Sequence, residues 1–361
     1  MIPLIVDLET EWRGGQNQAL LLLKGLYERG HAAELLAPHG SSLSHRAKKQ
    51  GIYVHTVPHT FMRMAAAWKI RGLLAGGRIE LVHANEAHAV TAAWLALAHK
   101  NLPFVVSRHV GYPLGKSWVA RARYRRADCI LANSRWVAER AAASGAPREK
   151  LRVVFEGAEI PPLLTPEQRL RARRRWGVPE NAPLLGCVGV LLPDKGQEWL
   201  IRALAELRRE YPEARLLLAG DGPCRGELQR LAAGQNVSEA VIFAGFVKDV
   251  ESVYAALDVF LLPSFFEALN NSLLAAMSYG IPSIAFRLGA LPEVIEDGRS
   301  GLLVPGADVP EICGAVKRIL NDSNFARGLA EAGLLRIREN FSADRMVDGT
   351  LSAYEEILRH A

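Results

Sequence analysis

The sequence is poor in cysteine and has no long apolar run, and both absences narrow the class of protein. Its 361 residues include four cysteines, none of them in a C-x-x-C pair. This spacing argues against a structural zinc site and favours reduced thiols in the cytoplasm. No stretch approaches about 18 uninterrupted apolar residues, so we expect no membrane-spanning helix. Met1 leads directly into a strand-like segment, without the basic and apolar regions of a signal peptide.

Two widespread ligand-binding patterns are incomplete or missing. The segment "AGDGPCRGEL" places Gly220 and Gly222 after a predicted strand, but it does not have the G-x-G-x-x-G spacing of a dinucleotide-binding loop. These glycines form either a simple tight turn or a turn that lets a base or ribose approach the backbone. No Asp-x-Asp pair stands at the end of a predicted strand, so we predict no essential metal ion and no other cofactor.

The composition is that of a globular protein with an uneven positive charge. Apolar residues make up 49% and charged residues 23% of the chain, enough for two domains with their own cores. The net charge is +6, and two segments are strongly basic, "KSWVARARYRRA" at 116–127 and "QRLRARRRWG" at 168–177. Either segment can be a solvated helix face. The first, with Trp118 and Tyr124 among its arginines, also suits anionic lipid head groups. No nucleic-acid-binding module surrounds either segment, so we expect no nucleic-acid partner.

Short apolar segments rich in β-formers alternate with helical segments along the whole chain. This order predicts βαβ units and parallel sheets covered on both faces. The proline-rich segment "GAEIPPLLTPEQ" has no periodicity and marks a domain boundary. We therefore predict an α/β protein with two doubly wound Rossmann-like domains, residues 1–160 and 161–344, which face each other across a cleft. Ligands belong at the carboxyl ends of their strands, and a last helix at about 345–361 is suited to pack back on the first domain.

Three local predictions can be compared directly with a structure. A single helix is expected over "AVTAAWLALAHK" at 89–100, and a strand over "LRVVFEG" at 151–157. No helix is predicted between the strands "IYVHTVP" at 52–58 and "IELVHANE" at 79–86.

The turns after the first strand of each predicted domain contain candidate phosphate-binding groups. In "WRGGQNQ", Gly14 and Gly15 either let the backbone approach a ligand at the start of a helix or form a plain turn with positive φ. In "VGVLLPDKGQEWL", Lys195 and Gly196 stand at a helix start, where a cation and the helix dipole would together hold a phosphate. A surface lysine at such a position is otherwise inert.

The segment "SFFEALNNSLLAAMSYGIPSIAFRLGALPEV" places one acid, Glu267, between a strand and a helix that Gly280 ends. Glu267 either complements the helix dipole or holds a sugar hydroxyl beside N–H groups that hold a phosphate. The following strand brings Gly289 to Glu293 to the same edge, where the backbone can again approach a ligand.

The ordered motifs of the second half resemble those of glycosyltransferase family 4, the retaining enzymes with the GT-B fold. The motifs are "VGVLLPDKG", "LLAGDGP", "IFAGF", "DVFLLPSFFEALNNSLLAAMSYGIPSIAF", "GALPEVIEDGRSGLLV" and "ENFSADR", within residues 184–345. The first half agrees more loosely through "RGGQ", "LYERGHAAELLAP", "LVHANEAHA" and "VVSRHVGY". Its "SRHVGYP" and "ILANSRWVAERAAASGAPREKLRVVFEG" are similar to relatives that build bacterial surface polysaccharide or lipopolysaccharide.

The resemblance implies roles for individual residues. Lys195 matches the lysine that binds the diphosphate, and Glu267 matches the first acid of the E-x7-E motif, which meets the donor sugar. His109 falls near the cleft histidine of the family, although a core or capping histidine stays an alternative. Together with the positions argued from the turns above, the candidate donor-binding residues are Gly14, Gly15, Gly196, Gly220, Gly222, Asn270, Asn271, Ser272, Ala275 and Glu293.

Three positions depart from the pattern of the family. Val190 replaces the arginine that usually follows the glycine of the first motif, and Glu156 replaces the asparagine of the usual "nGvD" segment. Ala275 stands where the second acid of E-x7-E would hold the ribose hydroxyls. A missing hydrogen bond of this kind costs about 1–3 kcal/mol of donor binding, which weakens an enzyme without abolishing its activity.

The resemblance implies a cytoplasmic, metal-independent retaining glycosyltransferase of the hexosyltransferase type. The expected donor is a nucleotide sugar, with a UDP-sugar favoured, and the expected acceptor is a glycan or a lipid-linked acceptor in lipopolysaccharide or polysaccharide synthesis. Contact with the inner face of the plasma membrane is a further expectation. The alternatives are a GT-B sugar-nucleotide epimerase or phosphorylase, and a donor-binding protein with weakened catalysis.

Overall fold

The computed structural model describes residues 1–115 and 118–360, and it divides into two compact units. One unit comprises Met1–Gly157 together with the segment that begins at Phe341, and the other is Ala158–Asn340. Lys116 and Ser117, which open the first basic segment, lie outside the described residues.

The first unit is built on a parallel sheet whose order, among the described residues, is β3-β2-β1-β4-β5-β6-β7. Most of its strands are buried along their whole length, as a sheet covered by helices on both faces requires. The strands are β1 Pro3–Val6, β2 Glu34–Pro38, β3 Tyr53–Val57, β4 Leu81–Ala84, β5 Phe104–Arg108, β6 Cys129–Ala132 and β7 Leu151–Val153. The helices between them are α1 Gly14–Glu28, α2 Ser42–Lys49, α3 Met62–Ala75, α4 Ala87–Leu95, α5 Ala98–Asn101, α6 Trp118–Arg125 and α7 Arg135–Ala143.

The second unit repeats this plan with a parallel sheet in the order β10-β9-β8-β11-β12-β13. Its strands are β8 Leu184–Val188, β9 Arg215–Ala219, β10 Val241–Gly245, β11 Val259–Leu262, β12 Ser283–Phe286 and β13 Leu302–Val304. Its helices are α8 Pro166–Arg175, α9 Gln197–Leu207, α10 Arg225–Gly234, α11 Glu251–Tyr254, α12 Asn271–Ser278, α13 Leu291–Val294, α14 Val309–Asn321 and α15 Ser323–Asn340. The predicted α/β class with two doubly wound sheets is confirmed.

The last helix, α16 Ala343–Arg359, packs within the first unit. Gly25 of α1 has no side chain at the contact, where an added Cβ would lie 2.4 Å from Val347 Cγ2. Arg29, just after α1, forms ion pairs of 2.9 Å with Asp344 and 2.8 Å with Asp348. The absence of a side chain at Gly25 therefore allows close packing, and the ion pairs add to it at the surface.

Each sheet reverses its strand order at one point, between β1 and β4 in the first unit and between β8 and β11 in the second. The loops that leave neighbouring strands there diverge to opposite faces, so the carboxyl ends of the strands form a crevice in which α/β proteins bind ligands. The loops after β1, β4, β8 and β11 carry most of the residues that the sequence singled out.

The structure corrects the three local predictions. Helix α3 occupies the interval where no helix was predicted. The single helix expected at 89–100 is two helices, α4 and α5, because Leu97 between them adopts a left-handed conformation with φ 61°. The strand expected at 151–157 ends at Val153. Within the described residues, no helix is long and apolar enough to cross a membrane.

Candidate functional site

Lys195 and Glu267 form a hydrogen-bonded ion pair at the reversal point of the second sheet. Lys195 follows β8, Glu267 follows β11, and Lys195 Nζ lies 2.6 Å from Glu267 Oε1. The same carboxylate oxygen accepts a hydrogen bond of 3.0 Å from Asn270 Nδ2. Only 8% of the Glu267 side chain is exposed, so this carboxylate depends on its partners for compensation of its charge.

The loops that carry Lys195 and Glu267 are held together through the backbone. Phe265 N donates to Asp194 O at 2.9 Å. Gly196 has φ 66°, and a Cβ at this position would lie 2.2 Å from Pro263 O. A side chain at position 196 would thus separate the loops. Gly196 is needed for the contact that brings Lys195 to Glu267.

Asn270 connects the ion pair to the start of α12. Its Oδ1 caps the helix by accepting from Leu273 N at 2.9 Å, while its Nδ2 donates to Glu267. Ser272 Oγ lies 2.8 Å from Val188 O and 2.7 Å from Asn270 Oδ1, and it can donate its one proton to either oxygen. Asn271 is the first residue of α12, and Ala275 lies one turn further along, half-buried. Glu267 therefore precedes the helix by four residues and is not one of its first-turn acids.

Gly289 brings a third loop against Glu267. It has φ 58°, and a Cβ there would meet Glu267 O at 2.2 Å. Ala290 N donates to the same carbonyl oxygen at 3.2 Å. Glu293 follows on the short helix α13 and is half-buried.

Gly220 and Gly222 lie in the loop after β9, where it packs against the loop after β8. An added Cβ would lie 1.9 Å from Gly189 O at position 220 and 2.4 Å from Leu191 O at position 222. Tight loop packing thus accounts for both glycines. Val190 lies in the loop after β8 and exposes 51% of its surface. Its carbonyl oxygen accepts a hydrogen bond of 3.0 Å from Gln197 Nε2.

The first unit collects a second group of polar residues at its reversal point. Asp7, directly after β1, accepts hydrogen bonds from Gln16 Nε2 at 3.0 Å and from Asn85 Nδ2 at 2.8 Å. Gly14 and Gly15 are the first two residues of α1, so the plain turn with positive φ is wrong for this pair. A Cβ on Gly15 would lie 3.9 Å from Asn85 Nδ2 and 4.0 Å from His109 Cδ2.

His109, after β5, joins this group to Glu156. Its Nε2 lies 3.1 Å from Asn85 Oδ1, and its Nδ1 lies 2.9 Å from Glu156 Oε1. Asn133 Nδ2 donates to Glu156 Oε1 at 2.8 Å. The sequence drew attention to His109 and Glu156 but not to Asp7, Asn85 and Asn133, although each of these three directly follows a strand.

Burial determines the electrostatics of this edge. It raises the pKa of Asp7, while the hydrogen bonds from Asn85 and Gln16 act in the opposite direction. Burial, with repulsion from Asp7, also raises the pKa of Glu86 to about 7, although its carboxylate caps α4. Glu9, Glu86 and His88 place one ligand atom each within 4.8 Å of one another. Such groupings of exposed acids are common without a metal ion, and the caps already engage Glu86.

Helix α6 contains most of the described part of the first basic segment, and the structure changes the interpretation of this segment. Trp118 is 76% exposed, but Tyr124 is only 7% exposed. Arg123 donates to Thr91 of α4. Tyr124 is thus part of the buried core, and Arg123 connects α6 to α4. Arg125 and Arg126 are exposed at the surface. The expectation that Tyr124 contacts lipid is therefore wrong. The four cysteines are free, as expected of reduced thiols.

The candidate residues thus form two groups, one in each unit. Lys195, Glu267, Asn270 and the loop at Gly289 meet in the second unit, and Gly15 and His109 meet in the first. Gly220 and Gly222 pack between the loops that follow β8 and β9. The group in the second unit combines a cation with neighbouring hydrogen-bond donors, which suits it to a phosphate or a sugar hydroxyl.

Both halves of the chain match models of known protein families. Residues 12–160 match the family model described as Glycosyltransferase Family 4, and residues 182–322 match the one described as Glycosyl transferases group 1. A GDP-mannose-dependent alpha-(1-6)-phosphatidylinositol monomannoside mannosyltransferase of Mycolicibacterium smegmatis is 31% identical over 89% of each chain. A lipopolysaccharide core biosynthesis glycosyltransferase of Rhizobium meliloti is 31% identical over 73% of this chain and 74% of its own.

The fold of the chain is also found among solved structures. HepE of Anabaena, crystallised in complex with UDP and glucose, is 21% identical and superposes with a TM-score of 0.87 over 98% of this chain and 99% of its own. The expected GT-B fold is confirmed by this likeness. With both halves matched by their family models and a relative 31% identical over most of its length, the chain belongs to glycosyltransferase family 4.

Proposed function

We propose that this glycosyltransferase moves a sugar from a nucleotide-diphosphate sugar to an acceptor hydroxyl with retention of the anomeric configuration and without an essential metal ion. A UDP-sugar is the favoured donor, because HepE binds UDP. The acceptor is a glycan or a lipid-linked sugar in the synthesis of lipopolysaccharide or a related surface polysaccharide, as in the relative from Rhizobium meliloti. The enzyme acts in the cytoplasm.

The observation that carries this proposal is the Lys195–Glu267 pair at the reversal point of the second sheet. Each member of the pair suits one part of a nucleotide sugar. The Lys195 ammonium attracts the diphosphate, and the Glu267 carboxylate accepts hydrogen bonds from sugar hydroxyls. The start of α12 adds the positive end of a helix dipole beside the same pair.

In the reaction, the bond between the anomeric carbon and the diphosphate oxygen breaks, and the acceptor oxygen forms its bond on the same face. The proton of the acceptor hydroxyl passes to the departing diphosphate. Lys195 and the N-terminus of α12 stabilise the negative charge that develops on the leaving group, which is where electrostatic catalysis is most effective. No step requires a metal ion as Lewis acid.

Two residues favour the alternative of a donor-binding protein with weakened catalysis. Val190 provides no cation after β8, and Ala275 provides no acid on α12. An epimerase or phosphorylase with the same fold is the other alternative. The three possibilities differ in their products: transfer requires an acceptor, epimerisation does not, and a binding protein yields neither product.

We also propose that the first unit contacts an anionic membrane. Helices α3 and α6 both pack against α4 and expose large aromatic side chains beside basic residues. Trp68 of α3 is 72% exposed and Trp118 of α6 is 76% exposed. Indole rings favour the membrane interface, and arginine is attracted to acidic head groups.

The test is a thermal-shift screen with UDP-, GDP- and ADP-sugars, followed by product analysis with and without acceptor sugars. We expect one donor class to raise the melting temperature, and an acceptor-dependent product whose NMR coupling shows the donor's anomeric configuration. A chelator should leave the rate unchanged. An inverted product, or a rate abolished by the chelator and restored by magnesium, would contradict the proposed mechanism.

A further inference from the structure

Both ring nitrogens of His109 face oxygen atoms. Nδ1 lies 2.9 Å from Glu156 Oε1, and Nε2 lies 3.1 Å from Asn85 Oδ1. A neutral imidazole carries a proton on one nitrogen and a lone pair on the other. In this environment a neutral ring would therefore direct a lone pair at an oxygen.

The orientation of the Asn85 amide is decided by its other neighbours. Asn85 Nδ2 donates to Asp7 Oδ2 at 2.8 Å and to Gly15 O at 3.2 Å. The Gly15 carbonyl cannot donate a hydrogen bond, whatever the protonation of Asp7. The Asn85 amide must keep its nitrogen toward Gly15, so its oxygen faces His109 and requires a proton on Nε2.

Glu156 provides the acceptor on the other side of the ring. The residue is 4% exposed, and its Oε1 receives the hydrogen bond from Asn133 Nδ2. Its Oε2 has no hydrogen-bond partner among the residues that the structure describes. A buried carboxylate with so few hydrogen-bond donors is stabilised most by a charged N–H group, and His109 Nδ1 can provide one at Oε1.

We propose that Glu156 is a positioning residue that keeps a proton on each nitrogen of His109, which makes this histidine a cationic hydrogen-bond donor and not a general base. The consequence for catalysis rests on the proposed function. In that reaction the acceptor proton goes to the diphosphate, so His109 is not needed as a base. His109 instead donates a hydrogen bond to a substrate oxygen, which takes the place of Asn85 Oδ1. Glu156 replaces the asparagine of the family's usual "nGvD" segment, so the charge at this position distinguishes this chain from that pattern.

Other charged groups around His109 are compatible with this assignment. Asp7 lies behind Asn85 on the side of β1. His83 of β4 is buried and neutral, with its pKa lowered to about 3 by burial and by the charge of His109. Arg108 of β5 is directed toward Tyr112 O and Tyr124 OH. Arg135 of α7 lies over the ring of Phe155.

The direct test is ¹⁵N NMR of the full-length protein labelled at histidine nitrogens, with His109 assigned by the loss of its signals in H109Q. At pH 7 we expect both His109 nitrogens to resonate as protonated nitrogens. In E156Q, one of them should move to the range of an unprotonated nitrogen. The control is E149Q, the same substitution at an exposed glutamate before the other end of β7, which should leave the His109 signals unchanged. One unprotonated nitrogen in the wild type, or two protonated nitrogens in E156Q, would overturn the proposal.

The kinetic test uses the pH dependence of transfer. E156Q should lower kcat/KM about tenfold at pH 8, the scale of losing one charged hydrogen-bond donor. The loss should be smaller at pH 6, because a higher proton concentration favours the doubly protonated ring. A loss that is equal at both pH values would show a merely structural role and refute the proposal. If the wild type transfers no sugar, the proposed function fails, while the NMR experiment still decides the state of His109.

Discussion

The Lys195 ammonium and the Glu267 carboxylate lie 2.6 Å apart, although they come from loops after different strands. Each is a hydrogen-bond partner of the other. A nucleotide sugar that takes both must bring an anion for Lys195 and hydroxyl donors for Glu267. A ligand that carries only the anion or only the hydroxyl groups would separate the pair and leave the charge of the other residue without a partner.

Lys195→Ala should lower the rate of transfer by about 10²-fold or more, the scale of losing a well-placed electrostatic donor. The free energy of unfolding should also fall, by about 1–3 kcal/mol, because the buried Glu267 carboxylate loses a hydrogen bond. Initial rates and urea unfolding measure the two effects. The matched control is Lys317→Ala, which breaks an exposed ion pair of 2.5 Å with Glu210 in the same unit; it should change neither quantity much. Near-normal transfer by Lys195→Ala would refute the phosphate-binding role.

The exposed arginines after and at the end of α6 should govern membrane contact. Arg125→Glu combined with Arg126→Glu should reduce cosedimentation with vesicles that contain acidic lipid, and added salt should weaken the binding of the wild type because it screens the charges. Arg171→Glu with Arg174→Glu, on the exposed face of α8, makes the same change of charge in the second basic segment and serves as control. Equal losses of binding in both double variants would indicate a dependence on the net charge alone. Equal binding of the wild type to neutral and acidic vesicles would exclude the proposed contact.

His83 should make the first unit sensitive to acid. Its ring lies 2.5 Å from Tyr354 OH of α16 and 2.7 Å from Ser107 Oγ, and burial lowers its pKa from 6.5 to about 3. Below pH 6.5 the unfolded chain binds a proton that the folded chain excludes, so this residue lowers the free energy of unfolding as the pH falls toward 3, by about 1.4 kcal/mol per pH unit.

Urea unfolding of the wild type and of His83→Gln at pH 7.5, 6 and 5 measures this dependence. The variant should be less stable at pH 7.5 but lose less stability on acidification. His59→Gln, at an exposed histidine, should follow the wild type. Parallel pH curves for wild type and His83→Gln would show that His83 is not the source of the sensitivity.

The sequence predicted the two sheets well because buried parallel strands read as short apolar runs. It missed α3, whose exposed Met64 and Trp68 obscure the helical pattern of apolar positions. It also missed the break at Leu97, since a non-glycine residue with positive φ leaves no signal in composition.

The residues of the site were predictable to different degrees. Lys195 and Glu267 were singled out by their positions between a strand and a helix, and the family resemblance added their roles. Their pairing depends on the contact of Gly196 with Pro263, which is distant in sequence. Glu156 was noticed only as a departure from a motif. Its contact with His109 joins the ends of β5 and β7, and the order of those strands cannot be read from local patterns.

Ala275→Glu should strengthen donor binding about tenfold. The position lies one turn into α12, and the side chain there is half-buried and not sealed in the core. Glutamate and alanine both favour helices, so the helix should persist. If Glu267 and position 275 together form the donor-holding pair that the family pattern implies, a new carboxylate at position 275 accepts hydrogen bonds from the ribose hydroxyls. A hydrogen bond to a charged group contributes about 1.5–3 kcal/mol, and one decade of affinity corresponds to about 1.4 kcal/mol.

Calorimetric titration with the nucleotide sugar that gives the largest thermal shift measures this gain. Ala332→Glu is the matched control, since it makes the same change at a half-buried position inside α15 and should leave the affinity unaltered. The gain in UDP binding should not depend on Glu267. In an Ala275→Glu variant that also carries Glu267→Gln, the sugar part of the donor loses its acceptor while the ribose keeps the new one. The double variant should therefore bind UDP more tightly than Glu267→Gln alone, but should distinguish UDP-sugar from UDP less well than Ala275→Glu does. Unchanged or weaker binding of UDP by a well-folded Ala275→Glu protein would mean that the ribose is held elsewhere in this chain, and that the alanine reflects a different nucleotide position and not a lost contact.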